Sequence, residues 1–260
     1  MPISRTADNY PAAVVGDTAY ALIAINGQSW LTYRWLRSSK PIEQLTAADF
    51  QLRQRMVDEN EFAAEIADLQ AHVTQERALD RVSIQTPPSS IWGTPQMATQ
   101  YGPGIILVST AGHGGFILTP ERNHEVHSAW RDYAGNYEHD CDWAIIAHTF
   151  PELFTERERR QADQTLRNWR PHEYQLATGL IVETAESREL RRQAFERLNA
   201  ANLVVIAAQN DPNAPGMVEC TATRGGDRRA TARKFLVPAQ EYERRSEFGF
   251  LIDETVHQPA

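Results

Sequence analysis

Short β-prone runs joined by tight turn signals constrain this fold more than any other feature of the sequence. Tyr20 to Asn26 alternates in polarity, Gln28 to Leu36 is rich in aromatic residues, and Asn26-Gly27 lies between them. Asn-Gly predicts a β-hairpin because a type I′ turn needs a positive φ at both central residues. Further strands are expected at Gly104 to Thr110, Phe116 to Thr119, Leu203 to Ala208, Met217 to Thr223, Ala230 to Val237 and Phe248 to Ile252. Arg224-Gly-Gly-Asp-Arg228 would form the basic tip of a C-terminal hairpin.

Helix signals separate these strands. Thr46-Ala-Ala-Asp49 resembles a capping box, and apolar residues at helical spacing predict a helix from there to about residue 80. Thr155-Glu-Arg-Glu158 predicts a helix through Trp169, and Asp140 is the expected N-cap of another. Leu190 to Leu198 predicts a further amphipathic helix. The elements do not follow a regular βαβ order, which favours an α+β fold with a mixed, mainly antiparallel sheet and several packed helices.

The chain is predicted to divide at a connector rich in proline, Thr86 to Pro95. Residues 1–85 would form an N-terminal extension, a β-hairpin plus a long helix. Residues 86–256 would form the main α+β domain, and residues 257–260 a tail. The sequence leaves open whether residues 1–85 fold independently or add strands to the main sheet.

Composition narrows the class of protein. Of the 260 residues, 42% are hydrophobic and 23% charged, as in ordinary globular proteins, and the net charge of −8 makes nucleic-acid binding unfavourable. No apolar run is long enough to span a bilayer, and the N-terminus lacks the apolar core of a signal peptide. The two cysteines, Cys141 and Cys220, cannot close a zinc site alone. A cytoplasmic protein without membrane association is expected.

The segment from Ser109 to His148 holds the candidate chemistry. It contains five of the eight histidines together with an acidic cluster, and imidazoles beside carboxylates suit acid/base or metal chemistry. His113 lies in Ala-Gly-His-Gly-Gly and is the candidate general base. Ser109, Thr110, Gly112, Gly114 and Gly115 are the candidate ligand-binding residues around it. The alternative is that these glycines serve only the turn between two strands.

The acidic cluster supplies the other candidate catalytic residues. Glu138 is the expected acid or the partner of His113, with Asp140, Asp142 and Cys141 as supporting groups. Asp140 also has a purely structural explanation as an N-cap. Cys141 at a first helical position would have a lowered thiol pKa, or would simply be a small buried residue.

No cofactor can be named from motifs. The chain has no P-loop, no Rossmann glycine pattern and no Gly-x-Ser-x-Gly elbow. His124 and His127 could share a metal with His113, His139 or Glu138, but their spacing matches no established zinc signature, and no metal site is predicted.

Several motifs in a fixed order resemble an uncharacterised family, a domain of unknown function of proteobacterial, plasmid and phage proteins. They lie at Trp92 to Gln96, Thr110 to Leu118, Tyr137 to Ala144, Phe150-Pro151, Ala222 to Gly226, Phe235 to Tyr242 and Phe248 to Asp253. The resemblance covers about residues 90–256 and implies one domain, in a genetic setting where mobile-element functions are plausible. It implies no catalytic residue. His139 stands where relatives often carry an acidic residue.

Two hypotheses follow for the function. The first is a small enzyme, hydrolase-like or transferase-like, that acts on a small molecule through His113 and Glu138. The second is a non-catalytic protein, such as an inhibitor from a mobile element, that binds another protein through the acidic surface of residues 1–85. A concave pocket holding His113 and Glu138 within hydrogen-bonding distance would favour the enzyme, and an exposed His113 on a convex turn would oppose it.

Overall fold

A computed structural model describes residues 3–36, 40–50 and 52–260. Residues 1–2, 37–39 and 51, all in the predicted N-terminal extension, lie outside the description. The chain divides into two compact units, Met1–Thr165 and Leu166–Ala260. The predicted boundary at residues 85–86 lies within the first unit. The division into an N-terminal extension and a main domain stays a prediction.

The first unit begins with a five-stranded antiparallel sheet in the order β1-β2-β3-β4-β5. Its strands are β1 (Ser4–Arg5), β2 (Pro11–Val15), β3 (Thr18–Ile25), β4 (Gln28–Trp35) and β5 (Leu52–Met56). Asn26 and Gly27 have φ values of 52° and 77° between β3 and β4, so the predicted hairpin is confirmed.

The long helix α1 (Glu59–Ala78) covers one face of this sheet. Phe62 and Ile66 are buried against Leu22 and Leu31. Leu22 and Leu31 are paired across β3 and β4, so their side chains point to the same face of the sheet. Ala12, Ala19, Ala21 and Ile23 form a second apolar cluster with Ile42, Leu45 and Phe50. The sheet is therefore packed on both faces.

The predicted start of α1 was wrong. Thr46 and Asp49 do form a capping box, but it opens only a single 3-10 turn, Ala47–Asp49. The next residues pair with β4 as strand β5, so pairing with a neighbouring strand outweighs local helix propensity. The helix begins instead after Asp58, whose carboxylate accepts a hydrogen bond from the Glu61 backbone N–H at 2.8 Å.

The rest of the first unit contains a second antiparallel sheet, in the order β10-β9-β8-β7-β6. Its strands are β6 (Val82–Ser83), β7 (Met97–Gly102), β8 (Ile105–Ser109), β9 (Gly114–Leu118) and β10 (Asn136–Glu138). Helices α2 (Pro120–Glu125) and α3 (Trp143–Thr149) follow, and α4 (Glu156–Trp169) begins with the predicted Thr155 capping box. The expected strands on both sides of His113 are confirmed.

Carboxylates of α1 form ion pairs with arginines of α4. Arg157 Nη2 lies 2.8 Å from Glu65 Oε1 and its Nη1 lies 2.5 Å from Asp68 Oδ2, while Arg160 also pairs with Asp68. The arginine-rich face of α4 is therefore not merely solvated, because it neutralises part of the acidic face of α1.

The second unit contains a third antiparallel sheet in the order β14-β11-β12-β13-β15. Its strands are β11 (Leu203–Asn210), β12 (Met217–Arg224), β13 (Arg233–Pro238), β14 (Leu251–Ile252) and β15 (Gln258–Pro259). Helices α5 (Pro171–Thr178), α6 (Arg188–Leu198) and α7 (Ala239–Tyr242) complete the unit. The expected α+β class is confirmed, and no described helix is both long and apolar enough to cross a membrane.

We predict that Phe62→Ala will lower the free energy of unfolding by about 3–5 kcal/mol, because it removes a fully buried aromatic side chain between α1 and the first sheet. Met56→Ala is the control, since Met56 is 54% exposed, and it should change stability by less than about 0.5 kcal/mol. Urea denaturation followed by circular dichroism measures both. Equal losses would contradict this packing.

Candidate functional site

His113 lies at the tip of the hairpin between β8 and β9. Ser109 pairs with Gly114, and the Thr110 N–H donates to the His113 carbonyl at 2.8 Å, so Ala111 and Gly112 make the connection. The His113 N–H in turn donates to Thr110 Oγ1 at 3.1 Å. The predicted turn therefore exists, and Thr110 stabilises it.

Packing explains two of the three glycines around His113. A Cβ on Gly114 would lie 2.4 Å from the Val108 carbonyl oxygen, and one on Gly115 would lie 2.2 Å from the Tyr137 carbonyl oxygen and 2.7 Å from the Trp92 ring. Gly112 has no such neighbour within 4 Å. Gly114 and Gly115 are thus required by close contacts within the sheet, and their role in ligand binding stays a prediction.

His113 and Glu138 are brought together by strand register. Glu138 pairs with Gly115 across β9 and β10, which places its carboxylate beside the hairpin tip. His113 Nδ1 lies 3.3 Å from Glu138 Oε1. The two side chains are 63% and 44% exposed, so this pair lies at the surface.

His139, the next residue, forms a second histidine–carboxylate pair. Its Nδ1 lies 3.1 Å from the Gly114 carbonyl oxygen, and its Nε2 lies 3.1 Å from Asp140 Oδ1. The backbone N–H of His139 also donates to the Gly114 carbonyl at 3.0 Å. The imidazole is therefore held by the strand end, while its other nitrogen faces a carboxylate that is 70% exposed.

The expected helix start at Asp140 was wrong. Helix α3 begins at Trp143, with Asp142 at its N-cap position, where the side chain makes no capping hydrogen bond. Asp140 and Cys141 form a turn before the helix, and the Asp140 carboxylate is directed to His139. Cys141 is half-buried and does not occupy the first helical position, so the helix-terminus argument for a lowered thiol pKa no longer applies.

A cleft with a volume of about 180 Å³ adjoins His139. Its walls are Tyr101, Leu107, Phe116, Trp143 and Phe154, and its polar residues are His139 and Glu158. The Tyr101 and Phe116 rings meet edge to face with centroids 4.9 Å apart, and Phe154 lies 5.3 Å from Tyr101. The cleft thus combines an aromatic surface with one imidazole and one carboxylate.

The cleft and the His113–Glu138 pair use different faces of the sheet. Tyr137 pairs with Phe116, which lines the cleft, whereas Glu138 pairs with Gly115. Neighbouring residues of a strand point to opposite faces, so Glu138 points away from the face that carries Phe116. This cleft is lined by His139, and neither His113 nor Glu138 lines it.

Arg81 supports Glu158. Its guanidinium donates to both Glu158 carboxylate oxygens, at 3.1 and 2.7 Å, and to the Leu153 carbonyl at 2.9 Å. It also stacks 4.0 Å from the centroid of Tyr101, and only 10% of its side chain is exposed. Burial alone would raise the pKa of Glu158, but the hydrogen bonds from Arg81 and the Thr155 N–H outweigh burial and lower it.

Burial also raises the pKa of Tyr101, although the nearby Arg81 opposes this effect. The Tyr101 phenol therefore stays neutral at physiological pH. It contributes a ring wall and a hydroxyl group to the cleft, and no negative charge.

The remaining histidines of the segment have separate surroundings. His124 Nδ1 lies 2.7 Å from the Pro120 carbonyl, and His127 Nδ1 accepts from the Ala129 N–H at 3.2 Å. The His148 ring meets Trp130 edge to face at 5.2 Å. Within the described part of the chain, no three His, Cys, Asp or Glu residues are grouped to hold a metal ion.

Sequence reasoning missed most of the cleft. Thr155-Glu-Arg-Glu158 correctly indicated the capping role of Glu158, since the Thr155 N–H donates to its carboxylate at 2.8 Å. No local pattern indicated the contact with Arg81, which lies 77 residues away in sequence. No sequence pattern indicated that Trp143 and Phe154 would line a cleft.

Comparison with known protein families gives a match to part of the chain. Residues 85–200 match the family model described as Domain of unknown function (DUF7007). This match confirms the expected resemblance over that range, which includes all seven residues that line the cleft. No match was found among curated proteins or among solved structures.

We predict that Gly115→Ala will lower the free energy of unfolding by about 1–3 kcal/mol, because its Cβ would overlap the Tyr137 carbonyl and the Trp92 ring. Gly112→Ala, in the same hairpin, should leave stability within about 1 kcal/mol of wild type, since its surroundings are open and its φ lies outside the left-handed region. Thermal unfolding compares the two variants. An equal effect of both would show that the hairpin packs differently.

We expect Glu158→Gln to destabilise the protein at neutral pH, with the difference from wild type shrinking as the pH falls below 4.5. The folded-state pKa of Glu158 lies below its ordinary value of 4.5, so its stabilisation is complete above that value and is lost as pH falls through the lower one. Urea denaturation across this range measures the difference. Glu156→Gln is the control, because Glu156 is 64% exposed, and a pH-independent loss in Glu158→Gln would refute the assignment.

Proposed function

We propose that this protein is a cytoplasmic enzyme that performs acid/base chemistry on a small molecule bound in the cleft beside His139. The observation that carries the proposal is the position of His139, which lines an aromatic cleft while its ring is held between the Gly114 carbonyl and the Asp140 carboxylate. A histidine with one nitrogen bonded to a backbone carbonyl is oriented for proton transfer through the other.

In this proposal, Nδ1 of His139 donates to Gly114 and Nε2 exchanges a proton with the substrate. Asp140 faces Nε2 and stabilises the positive ring that forms when His139 accepts a proton. Because Asp140 is largely exposed, its carboxylate can move aside when a ligand approaches Nε2.

The cleft favours a substrate with a flat apolar group. Its volume of about 180 Å³ is below the range of roughly 300–1,000 Å³ that holds whole drug-sized ligands. It therefore admits one ring or a short apolar chain against Tyr101, Phe116 and Trp143, with the reacting group near His139. A hydrolase or transferase acting on an aromatic ester or amide fits these features.

His113 and Glu138 remain candidates for the same chemistry. They lie within hydrogen-bonding distance, but both are exposed and Glu138 points away from the cleft face. We therefore assign them a secondary role. The same experiment separates them from His139.

Protein binding through the acidic surface of residues 1–85 has less support. The acidic helix α1 uses Glu65 and Asp68 in ion pairs with Arg157 and Arg160, and Arg55 also pairs with Glu65. These carboxylates are neutralised within the first unit and leave fewer free charges for a basic partner, such as a host protein met by a mobile element.

We expect wild-type protein to hydrolyse p-nitrophenyl acetate, an aromatic ester, and His139→Gln to reduce kcat/KM by at least about 100-fold, the usual contribution of a positioned acid or base. Absorbance of released nitrophenolate measures the rate. His113→Gln is the matched control and should retain most of the activity.

The reverse pattern, with loss in His113→Gln alone, would restore the hairpin pair as the catalytic centre. Equal rates for both variants and wild type would contradict a catalytic His139. Circular dichroism of each variant separates loss of the reaction from loss of the fold.

A further inference from the structure

A second cleft lies in the unit formed by residues 166–260, between α6 and one face of the third sheet. It has a volume of about 290 Å³, and its lining includes Arg188, Arg192, Arg228, Phe195 and Phe248 together with the carboxylates of Glu196 and Glu247. This volume lies at the lower end of the range found for small-molecule sites. Three guanidinium groups, two carboxylates and two phenyl rings therefore line one space of ligand size, and the carboxylates neutralise part of the positive charge.

The three arginines differ in how far they are neutralised. Arg192 pairs with Glu189 and Glu196, and the hydrogen bonds that it donates to Glu189 raise its pKa. Arg188 Nε lies 3.4 Å from Glu247 Oε2. Arg228 donates to the Ile206 carbonyl at 3.3 Å, and none of the described carboxylates lies within ion-pairing distance of it. Arg228 is thus the cation with most capacity for an external anion.

The aromatic side chains provide a surface for a flat ring. Phe195 and Phe248 have centroids 5.9 Å apart with planes tilted by 41°. The Arg188 guanidinium lies 5.8 Å from the Phe248 centroid and 4.9 Å from that of Trp169, which orients it beside these rings. Stacking surfaces next to guanidinium groups are the features that bind a nucleobase and its phosphate together.

The charge of the unit is compatible with such a ligand. Residues 166–260 hold 13 Lys and Arg and 13 Asp and Glu, so the net charge of −8 belongs entirely to residues 1–165. A neutral unit does not repel a single phosphate group. It also lacks the broad basic surface that a polynucleotide backbone requires.

We propose that this cleft binds a mononucleotide, with Arg228 and Arg188 contacting the phosphate and Phe248 stacking on the base. The site is separate from the cleft beside His139. It does not depend on the function proposed for that cleft.

Titration of the whole protein into N-methylanthraniloyl-ADP, followed by fluorescence anisotropy, tests the proposal. We expect saturable binding that unlabelled ADP displaces, and a Kd at least about 10-fold weaker in Arg228→Gln, because a hydrogen bond to a charged group is lost. Arg229→Gln is the matched control, since Arg229 neighbours Arg228 on the same exposed hairpin but does not line the cleft. Its Kd should stay within about 2-fold of wild type.

One further variant tests the nature of the ligand. Phe248→Leu should weaken the binding of ADP more than that of inorganic phosphate, since it removes the stacking surface but keeps both Arg228 and Arg188. Circular dichroism verifies that each variant is folded.

The proposal is overturned if no saturable binding occurs, or if Arg228→Gln and Arg229→Gln weaken binding equally. Displacement by phosphate as effective as that by ADP would reduce the site to an anion site and refute base recognition. Tighter binding of a single-stranded oligonucleotide than of ADP would replace the mononucleotide with a nucleic acid.

Discussion

The ion pair between Arg81 and Glu158 is the interaction on which the first unit depends. It joins the end of the long-helix region to the first turn of α4, and only 10% and 18% of the two side chains are exposed. A nearly buried charge is costly unless it is paired, so removing either partner leaves the other in an unfavourable position. Arg81 also stacks on the Tyr101 ring, and the ion pair holds Glu158 in the wall of the aromatic cleft.

Further contacts join residues 1–85 to the start of α4. Besides Arg81, His72 Nδ1 lies 2.8 Å from Thr155 Oγ1, and the Glu156 N–H donates to Gln75 Oε1 at 2.7 Å. Together with the ion pairs of Arg157, these contacts attach α1 to the start of α4 along its length. Helix α1 is therefore attached to α4, the helix that carries Glu158 of the cleft.

The sequence predicted elements well where local signals decide them. The Asn26-Gly27 hairpin, the strands on both sides of His113, the Thr155 capping box and the Arg224–Arg228 hairpin follow from turn chemistry and periodicity. It failed at Thr46 and at Asp140, where the local capping signal is genuine or plausible but the following residues pair as a strand or form a turn. At the candidate site, it predicted the proximity of His113 and Glu138, but it considered His139 only as a possible metal ligand and not as a residue of a cleft.

By itself, the sequence determined the α+β class and the antiparallel hairpins, including the hairpin that carries His113, because alternation and glycine turns act over a few residues. Only the tertiary structure decided which histidine adjoins a cleft. Strand register directs Glu138 and the Phe116–Tyr137 pair to opposite faces of the sheet. Arg81, which donates hydrogen bonds to Glu158 in the wall of the cleft, lies 77 residues from it in sequence. Contacts over such distances depend on how sheets and helices pack, and no local pattern encodes them.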